Sequence, residues 1–188
     1  MHSQVEDPIS NANAQRRRWG EKEGRLLILY KAVLSGDWNA AEPVLRLDKS
    51  AACLSITKVE DTPLHLAALT KQTAIAHMLV KYLDEGDLEI KNNYGNTAFF
   101  CAAVSGDVEI AKVVYEKYNT LPTIRNRFGI SPIQEAAALG NKKMIEYLYE
   151  ITPLKHFEDE ERMNILAATI NTGTNILAAP HPRNVEEV

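Results

Sequence analysis

Cysteine is scarce in this chain, with two residues among 188, and Cys53 and Cys101 form no C-x-x-C pair. A disulfide scaffold or a zinc ribbon needs more cysteines at closer spacing, so both classes are excluded. The same scarcity predicts a reducing compartment, and we expect the protein inside the cell, in the cytoplasm. Recruitment to the cytoplasmic side of a membrane through a partner stays open.

An excess of positive charge is also missing, because 21 Lys and Arg residues stand against 25 Asp and Glu residues and the net charge is -4. Proteins that coat nucleic acid need a concentrated positive field, so this balance predicts no nucleic-acid partner. The run Arg16–Arg18 is also typical of a nuclear or anionic-lipid signal, but Glu21 and Glu23 follow closely and favour a solvated tail.

Long apolar runs are absent too. The longest stretch without a charged residue, 163–182, is interrupted by Asn, Thr, Gly and Pro, which makes insertion into a bilayer unfavourable. The first 24 residues lack the apolar core of a secretory signal peptide. The sequence therefore predicts neither a membrane span nor a secretory signal in this chain.

Motifs of catalysis are missing as well, since the chain contains no H-E-x-x-H, no Walker-type glycine loop and no G-x-S-x-G. His77 has no metal-ligating residue four positions later, and Cys101 fits buried filler of a helix better than a reactive thiol. The recurring tyrosines lack a basic groove, which favours helix packing over base stacking. We therefore predict no enzyme activity, metal, cofactor or small-molecule substrate.

What the chain does contain is a repeat. Four similar segments carry Ala32, Ala67, Ala102 and Ala136, which are 35, 35 and 34 residues apart. Apolar residues recur at helical spacing in and after each segment, so two helices are predicted in every repeat. The motif TPLHLAA at 62–68, together with this period, resembles the ankyrin repeat.

This resemblance implies an all-α ankyrin-repeat solenoid with about four helix-turn-helix repeats and a C-terminal half repeat. Residues 1–24 are expected to form a disordered polar tail. The array itself is expected over 25–153, with its repeats at about 26–58, 59–91, 92–125 and 126–153.

The C-terminal end of the array is predicted to be incomplete. Residues 154–188 are expected to hold an acidic loop at 158–161, a partial fifth repeat and a flexible tail. The fifth inner helix is predicted at 164–171, without a second helix beside it. Isolated helices shorter than about 12 residues are marginal in water, so weak docking is expected.

The start of each inner helix carries capping residues. Thr62 is a good N-cap residue with a proline after it, and Ser131 rebuilds the pattern as an S-x-x-Q capping box. The resemblance implies that the histidine of TPLHLAA bonds its threonine in the same manner. These structural residues are Thr62, Pro63, His65, Thr97, Ser131, Pro132 and Gln134.

Turns separate the helices and the repeats. The pattern N-x-x-G at 92–95 and 126–129 predicts tight turns, which the resemblance makes the finger tips of the array. The stretch 48–60 lacks this pattern and is predicted to be an irregular loop. Glycine ends three of the four inner helices in a left-handed conformation, whereas Lys71 stands at that position in the second repeat.

Large side chains on the finger tips are the strongest functional signal, because folding alone has little use for them there. Aromatic residues and arginine are enriched in protein-binding hot spots, so binding and folding both stay open as interpretations. The resemblance implies a concave binding face. Its expected contact residues are Asn93, Tyr94, Asn96, Arg127, Phe128 and Ile130 on the tips and Leu69, Thr70, Val104, Ser105, Ala138 and Leu139 on the inner helices.

The resemblance thus implies a protein-protein interaction module or scaffold with an unknown protein partner. A narrower likeness lies in LYKAVLSGDWNAAEPVL, a long loop and DTPLHLAA, which resemble the start of plant ankyrin proteins with a membrane-spanning PGG domain. That likeness implies stress or defence signalling. An alternative is a truncated regulatory copy that competes with a longer, membrane-anchored relative for one partner.

Overall fold

The computed structural model describes residues 8–153, 157 and 159–173. Within these residues every regular element is helical, which confirms the predicted all-α class. The helices are α1 (Pro8–Ser35), α2 (Trp38–Leu47), α3 (Pro63–Leu69), α4 (Thr73–Val80), α5 (Ala98–Ser105), α6 (Val108–Lys117), α7 (Pro132–Ala138), α8 (Lys142–Ile151) and α9 (Asp159–Thr172). Short 3₁₀ segments lie at Lys49–Ala52, Gly86–Glu89 and Leu121–Thr123.

The helices form two layers that follow the order of the chain. The inner helices α1, α3, α5, α7 and α9 each pack against the next, and the outer helices α4, α6 and α8 do the same. The repeated alanines lie where inner helices meet, and Ala67, Ala102 and Ala136 are fully buried. A small side chain is needed at these contacts because the helix backbones approach closely. The result is the predicted linear stack of helix pairs.

The first helix is much longer than the sequence analysis predicts. It begins at Pro8, so the expected disordered tail over 1–24 is wrong for residues 8–24, while residues 1–7 lie outside the described part of the chain. This segment is rich in Ala, Gln, Arg, Glu and Lys, which are strong helix formers. Leu29 and Val33 anchor the same helix in the core, so the helix extends from a fixed end.

The last helix also differs from the prediction. It begins at Asp159 rather than at residue 164, so the acidic loop expected at 158–161 is wrong for its last three residues. The side chains of Phe157, Glu161 and Ile165 are buried, and α9 packs on α7 as a fifth inner helix. Residues 154–156, 158 and 174–188, including the predicted flexible tail, lie outside the described residues.

Two turns between repeats are built around an asparagine. The Asn92 Oδ1 atom accepts hydrogen bonds from the backbone N–H groups of Tyr94 and Asn96 at 3.0 and 3.1 Å. Asn126 does the same for Phe128 and Ile130 at 2.9 and 3.1 Å. We call these the finger turns 92–95 and 126–129.

A third finger turn lies at 57–60, inside the stretch predicted to be irregular. Thr57 replaces the asparagine, and its Oγ1 atom accepts a hydrogen bond from the backbone N–H of Asp61 at 3.0 Å. Glu60 replaces the glycine with a positive φ of 63°. The prediction of an irregular loop is therefore wrong for this part of 48–60, because both marker residues are substituted.

The finger turns pack on one another, and glycine substitutions test this contact. A Cβ atom on Gly95 would lie 2.4 Å from the backbone nitrogen of Arg127, whereas one on Gly129 would meet nothing within 4 Å. Both glycines have φ near +75°, so alanine is strained by about 1 kcal/mol at either position. We expect Gly95→Ala to cost about 1–3 kcal/mol more than Gly129→Ala, because of overpacking.

Urea unfolding of the two variants measures the difference between these losses. Equal losses of unfolding free energy would show that the two turns are not packed together.

Candidate functional site

His65 joins the second and third repeats through both ring nitrogens. The backbone N–H of Thr62 donates to Nδ1 at 3.3 Å, and the Thr62 Oγ1 atom lies 2.7 Å from the same nitrogen. The Nε2 atom therefore carries the proton and donates to the backbone oxygen of Asn96 at 2.9 Å. This bond fixes the finger turn 92–95 on the start of α3.

Capping side chains also begin α5 and α7. Ser131 Oγ accepts from the backbone N–H of Gln134 at 3.3 Å, and Gln134 Oε1 accepts from that of Ser131 at 2.8 Å. The Thr97 hydroxyl accepts from Phe100 at the start of α5 at 3.2 Å. Pro63 and Pro132 are the first residues of α3 and α7. The capping residues thus orient the elements that carry the finger turns.

Burial lowers the pKa of His65, because a charged imidazolium is poorly solvated inside the protein. The unfolded chain, with an ordinary histidine pKa of about 6.5, then binds a proton more readily than the folded protein. The stability from this group is present above about pH 6.5 and is lost as the pH falls. Glutamine does not titrate, so we expect His65→Gln to reduce the loss of unfolding free energy between pH 7.5 and 5. Glutamine suits this position because Gln134 fills it in the fourth repeat.

Urea titrations at several pH values measure this slope. The same substitution at the exposed His77 is the matched control. A His65→Gln slope equal to that of the parent would contradict a buried neutral histidine.

The two asparagine finger turns bring Tyr94, Arg127 and Phe128 together. The Arg127 guanidinium carbon lies 5.5 Å from the ring centroid of Tyr94 and 4.8 Å from that of Phe128. The backbone N–H of Arg127 donates to the backbone oxygen of Tyr94 at 3.2 Å. The Nη1 group of the Arg127 side chain donates to the backbone oxygen of Asn93. Tyr94 and Phe128 are 46% and 63% exposed. We call these three side chains the tip cluster.

The remaining expected contact residues differ in exposure. Leu69, Ala138 and Leu139 are exposed at the ends of α3 and α7, and Asn93 is exposed on its finger turn. The other residues are half-buried, namely Thr70, Asn96, Val104, Ser105 and Ile130.

Two of these half-buried residues use their hydroxyls inside their own helices, since Thr70 donates to the Leu66 oxygen at 2.7 Å and Ser105 to the Ala102 oxygen at 3.2 Å. Asn96 holds the turn through its backbone. The hydroxyl hydrogens of Thr70 and Ser105 are therefore already used inside the helices and are not free for a partner.

A groove of about 670 Å³ lies between α7 and α9, and the residue after the finger turn 126–129 is part of its lining. Ile130, Ala138, Leu139 and Ala167 give it apolar walls, and polar side chains from the same two helices complete the lining. Sequence reasoning named three of these four residues as contacts but did not foresee the groove. Its second wall depends on the docking of α9.

A charge pair that sequence reasoning missed joins α9 to the rest of the array. Arg125 Nη2 lies 2.6 Å from Glu161 Oε2, and Glu161 is almost completely buried. The Ser131 hydroxyl donates to the other carboxylate oxygen. Arg125 also donates to the backbone oxygen of Gly129 at 2.9 Å and to Gln134 at 3.1 Å. One side chain therefore connects the finger turn 126–129, α7 and α9.

The described residues show neither a cluster of metal-ligating side chains nor an activated thiol. They contain no group of three His, Cys, Asp or Glu side chains that could hold a metal ion. Burial raises the pKa of the Cys53 thiol to about 11, with a smaller contribution from Asp87. Burial also raises the pKa of Cys101. Both thiols are thus protonated at neutral pH and are poor nucleophiles. Among the helices that the structure describes, none is long and apolar enough to cross a membrane.

Comparison with known proteins decides the family. A family model described as ankyrin repeats (3 copies) matches residues 29–126. The chain belongs to the ankyrin-repeat family. This match confirms the resemblance to ankyrin repeats carried by TPLHLAA and its period.

Relatives and solved structures agree with this assignment. An ankyrin repeat protein of Rickettsia bellii is 36% identical over 64 residues, which cover 34% of this chain and 38% of that protein. The ANK repeat-containing protein nipk-1 of Caenorhabditis elegans is 29% identical over 119 residues, or 57% of this chain and 19% of that protein. The chain therefore matches well under half the length of these relatives.

A similar solved structure is a chain in the crystal structure of the yeast ribosomal protein Rps3 in complex with its chaperone Yar1. It has a TM-score of 0.61 and 22% identity, covering 70% of this chain and 96% of that one. At this identity the likeness shows the ankyrin fold alone.

Proposed function

We propose that this ankyrin-repeat chain binds a partner protein through one face, formed by the finger turns 92–95 and 126–129 and the C-terminal ends of α3, α5 and α7. We call this surface the recognition face. The observation that carries the proposal is the tip cluster, in which an arginine is held over two exposed aromatic rings. Such preorganised aromatic and arginine side chains are enriched in binding hot spots.

The needs of folding do not account for the tip cluster. A cation over an exposed aromatic ring contributes only about 0.5–1 kcal/mol, and the rings remain largely open to water. The turn itself is held by asparagine side chains and by backbone bonds, which do not require an aromatic neighbour. The chain with the same fold in the Rps3–Yar1 structure is part of a protein complex, which supports binding as the class of function.

Replacing Tyr94, Arg127 and Phe128 together by alanine should abolish capture of the native partner. Each substitution is on the surface and should change the unfolding free energy by only about 0.5–1 kcal/mol. The measurement is affinity purification from native tissue with quantitative mass spectrometry, alongside a thermal unfolding curve.

A matched control replaces Arg46, Leu47 and His77, which are exposed on the outer helices α2 and α4. Partners should be retained by this control and lost by the tip-cluster variant. Loss in both variants, or in neither, would place the working surface elsewhere. A collapse of stability in the tip-cluster variant would instead make these residues structural.

The pathway is a further part of the proposal. The likeness to plant ankyrin proteins with a PGG domain supports a role in stress or defence signalling, and it also supports an alternative role as a truncated competitor of a longer membrane-anchored relative. Co-precipitation with the partner of such a relative, in competition with that relative, would favour the competitor. A partner set without overlap would exclude it.

A further inference from the structure

The finger turns and the residue before two of them are more basic than the chain as a whole. Their charged residues are Lys58, Glu60, Lys91, Arg125 and Arg127. The whole chain, in contrast, has a net charge of -4. Because Arg125 is already paired with the buried Glu161, the basic excess rests on the other three cations, all of which are exposed.

Arg127 is positioned to bind an anion. A guanidinium has five N–H donors, and the backbone oxygen of Asn93 takes one of them. The rings of Tyr94 and Phe128 shield part of the guanidinium from water, while the side chain stays exposed. A planar fork held in this manner matches the two oxygens of a carboxylate.

An apolar row runs along the C-terminal ends of the inner helices. Leu34, Leu69, Val104 and Ala138 occupy the same position in α1, α3, α5 and α7, two residues after the repeated alanine. Leu34 and Leu69 are 38% and 39% exposed, although they are large apolar side chains. We call these four residues the apolar row, and its last member also lines the groove between α7 and α9.

We propose that the recognition face takes an acidic segment of the partner protein, in which a carboxylate binds Arg127 and neighbouring apolar side chains pack on the apolar row and in the groove. This inference rests on the proposed function. A nucleic acid fits less well. Its bases would stack on aromatic rings, and the Arg127 guanidinium already lies over both rings of the tip cluster. The apolar row has no groups that bind phosphates.

Selection of peptides on the full chain tests this chemistry. Random 12-residue peptides displayed on phage are selected on the parent protein and counter-selected on Arg127→Gln. We expect the surviving peptides to be enriched in Asp and Glu next to apolar residues. A synthetic copy should bind the parent at least tenfold more tightly than Arg127→Gln, as a charge-assisted pair predicts, and more weakly at higher salt.

Two control variants sharpen the measurement. Arg127→Lys keeps the charge without the fork and should bind with intermediate affinity. Arg46→Gln removes an exposed arginine on α2 and should bind like the parent. Enrichment of basic or purely apolar peptides, or a selection without any peptide that depends on Arg127, would overturn the inference. The chain should not bind a 20-nucleotide single-stranded RNA or phosphatidylserine vesicles through Arg127. If Arg127→Gln weakened binding of either of them as much as it weakens binding of the peptide, the inference would also be overturned.

The proposed function has its own outcome in these experiments. If the tip-cluster variant loses the native partners while the selected peptides are not acidic, the recognition face stands and the acidic partner does not. If the tip-cluster variant keeps its native partners, the proposed function itself fails.

Discussion

The Ala102→Arg variant is expected to lose at least about 3 kcal/mol of unfolding free energy, the largest effect of any substitution considered. Ala102 has no exposed surface and lies on α5, which packs against α3, α6 and α7. An arginine there would overpack the contact between inner helices and bury a charge without a partner. Because each repeat contacts only its neighbours, the damage should separate the two halves of the array.

Far-ultraviolet circular dichroism during urea unfolding measures this loss. Ala74→Arg is the matched control, since Ala74 is exposed on α4 and the same side chain there reaches water. Its unfolding free energy should stay within about 0.5 kcal/mol of the parent value. An Ala102→Arg variant that unfolded like this control would refute the alignment of the repeats.

Glu161→Ala should undock α9 from the array. The substitution leaves Arg125 without its carboxylate and takes the acceptor away from the Ser131 hydroxyl. Breaking a fully buried ion pair costs about 3–5 kcal/mol. Because Arg125 is 29% exposed and water partly solvates it, we expect the docking of α9 to lose about 2 kcal/mol. Amide hydrogen exchange in the described part of α9 should therefore accelerate on the order of 30-fold.

The exposed carboxylate of Asp159, two residues earlier in the same helix, is the control. Its pairing with Arg162 is a surface contact, and Asp159→Ala should change the exchange of α9 much less. Exchange in α3 and α5 should be unaffected in both variants. Equal acceleration by the two substitutions would show that the buried charge pair does not hold the helix.

Much of the fold could be predicted from the sequence because its signals are local. The motif at 62–68 contains a cap, a proline and a buried alanine within seven residues, and its period repeats the same contacts. Lys71 at the turn after α3 does adopt the left-handed conformation, with φ of 56°, as its alignment with glycine predicts. A pattern of this kind needs no knowledge of distant residues.

The parts that sequence reasoning missed depend on distant partners or on substituted markers. Glu161 lies in an acidic run that is typical of a loop, and its partner Arg125 lies 36 positions earlier. No local pattern therefore connects the two residues. The finger turn at 57–60 has neither the asparagine nor the glycine that identifies the other two. The segment 8–24 has a polar composition that is typical of a disordered tail, and only its helix propensity indicates the observed helix.

The candidate site could be predicted from the sequence only in part. Residue type and turn position predicted that Tyr94, Arg127 and Phe128 would be large side chains on exposed turns. That the arginine lies over both rings could not be predicted, since it follows from the packing of one turn on the next. The groove required the position of α9, which the sequence placed five residues too late.

Hydrogen–deuterium exchange of the full chain, with and without its captured partner, tests the central claim most directly. We expect slower exchange on binding in the finger turns 92–95 and 126–129 and at the C-terminal ends of α3, α5 and α7. Exchange in the outer helices α2, α4, α6 and α8 should stay as it is in the free protein. Protection confined to the outer helices would contradict a recognition face built on the finger turns.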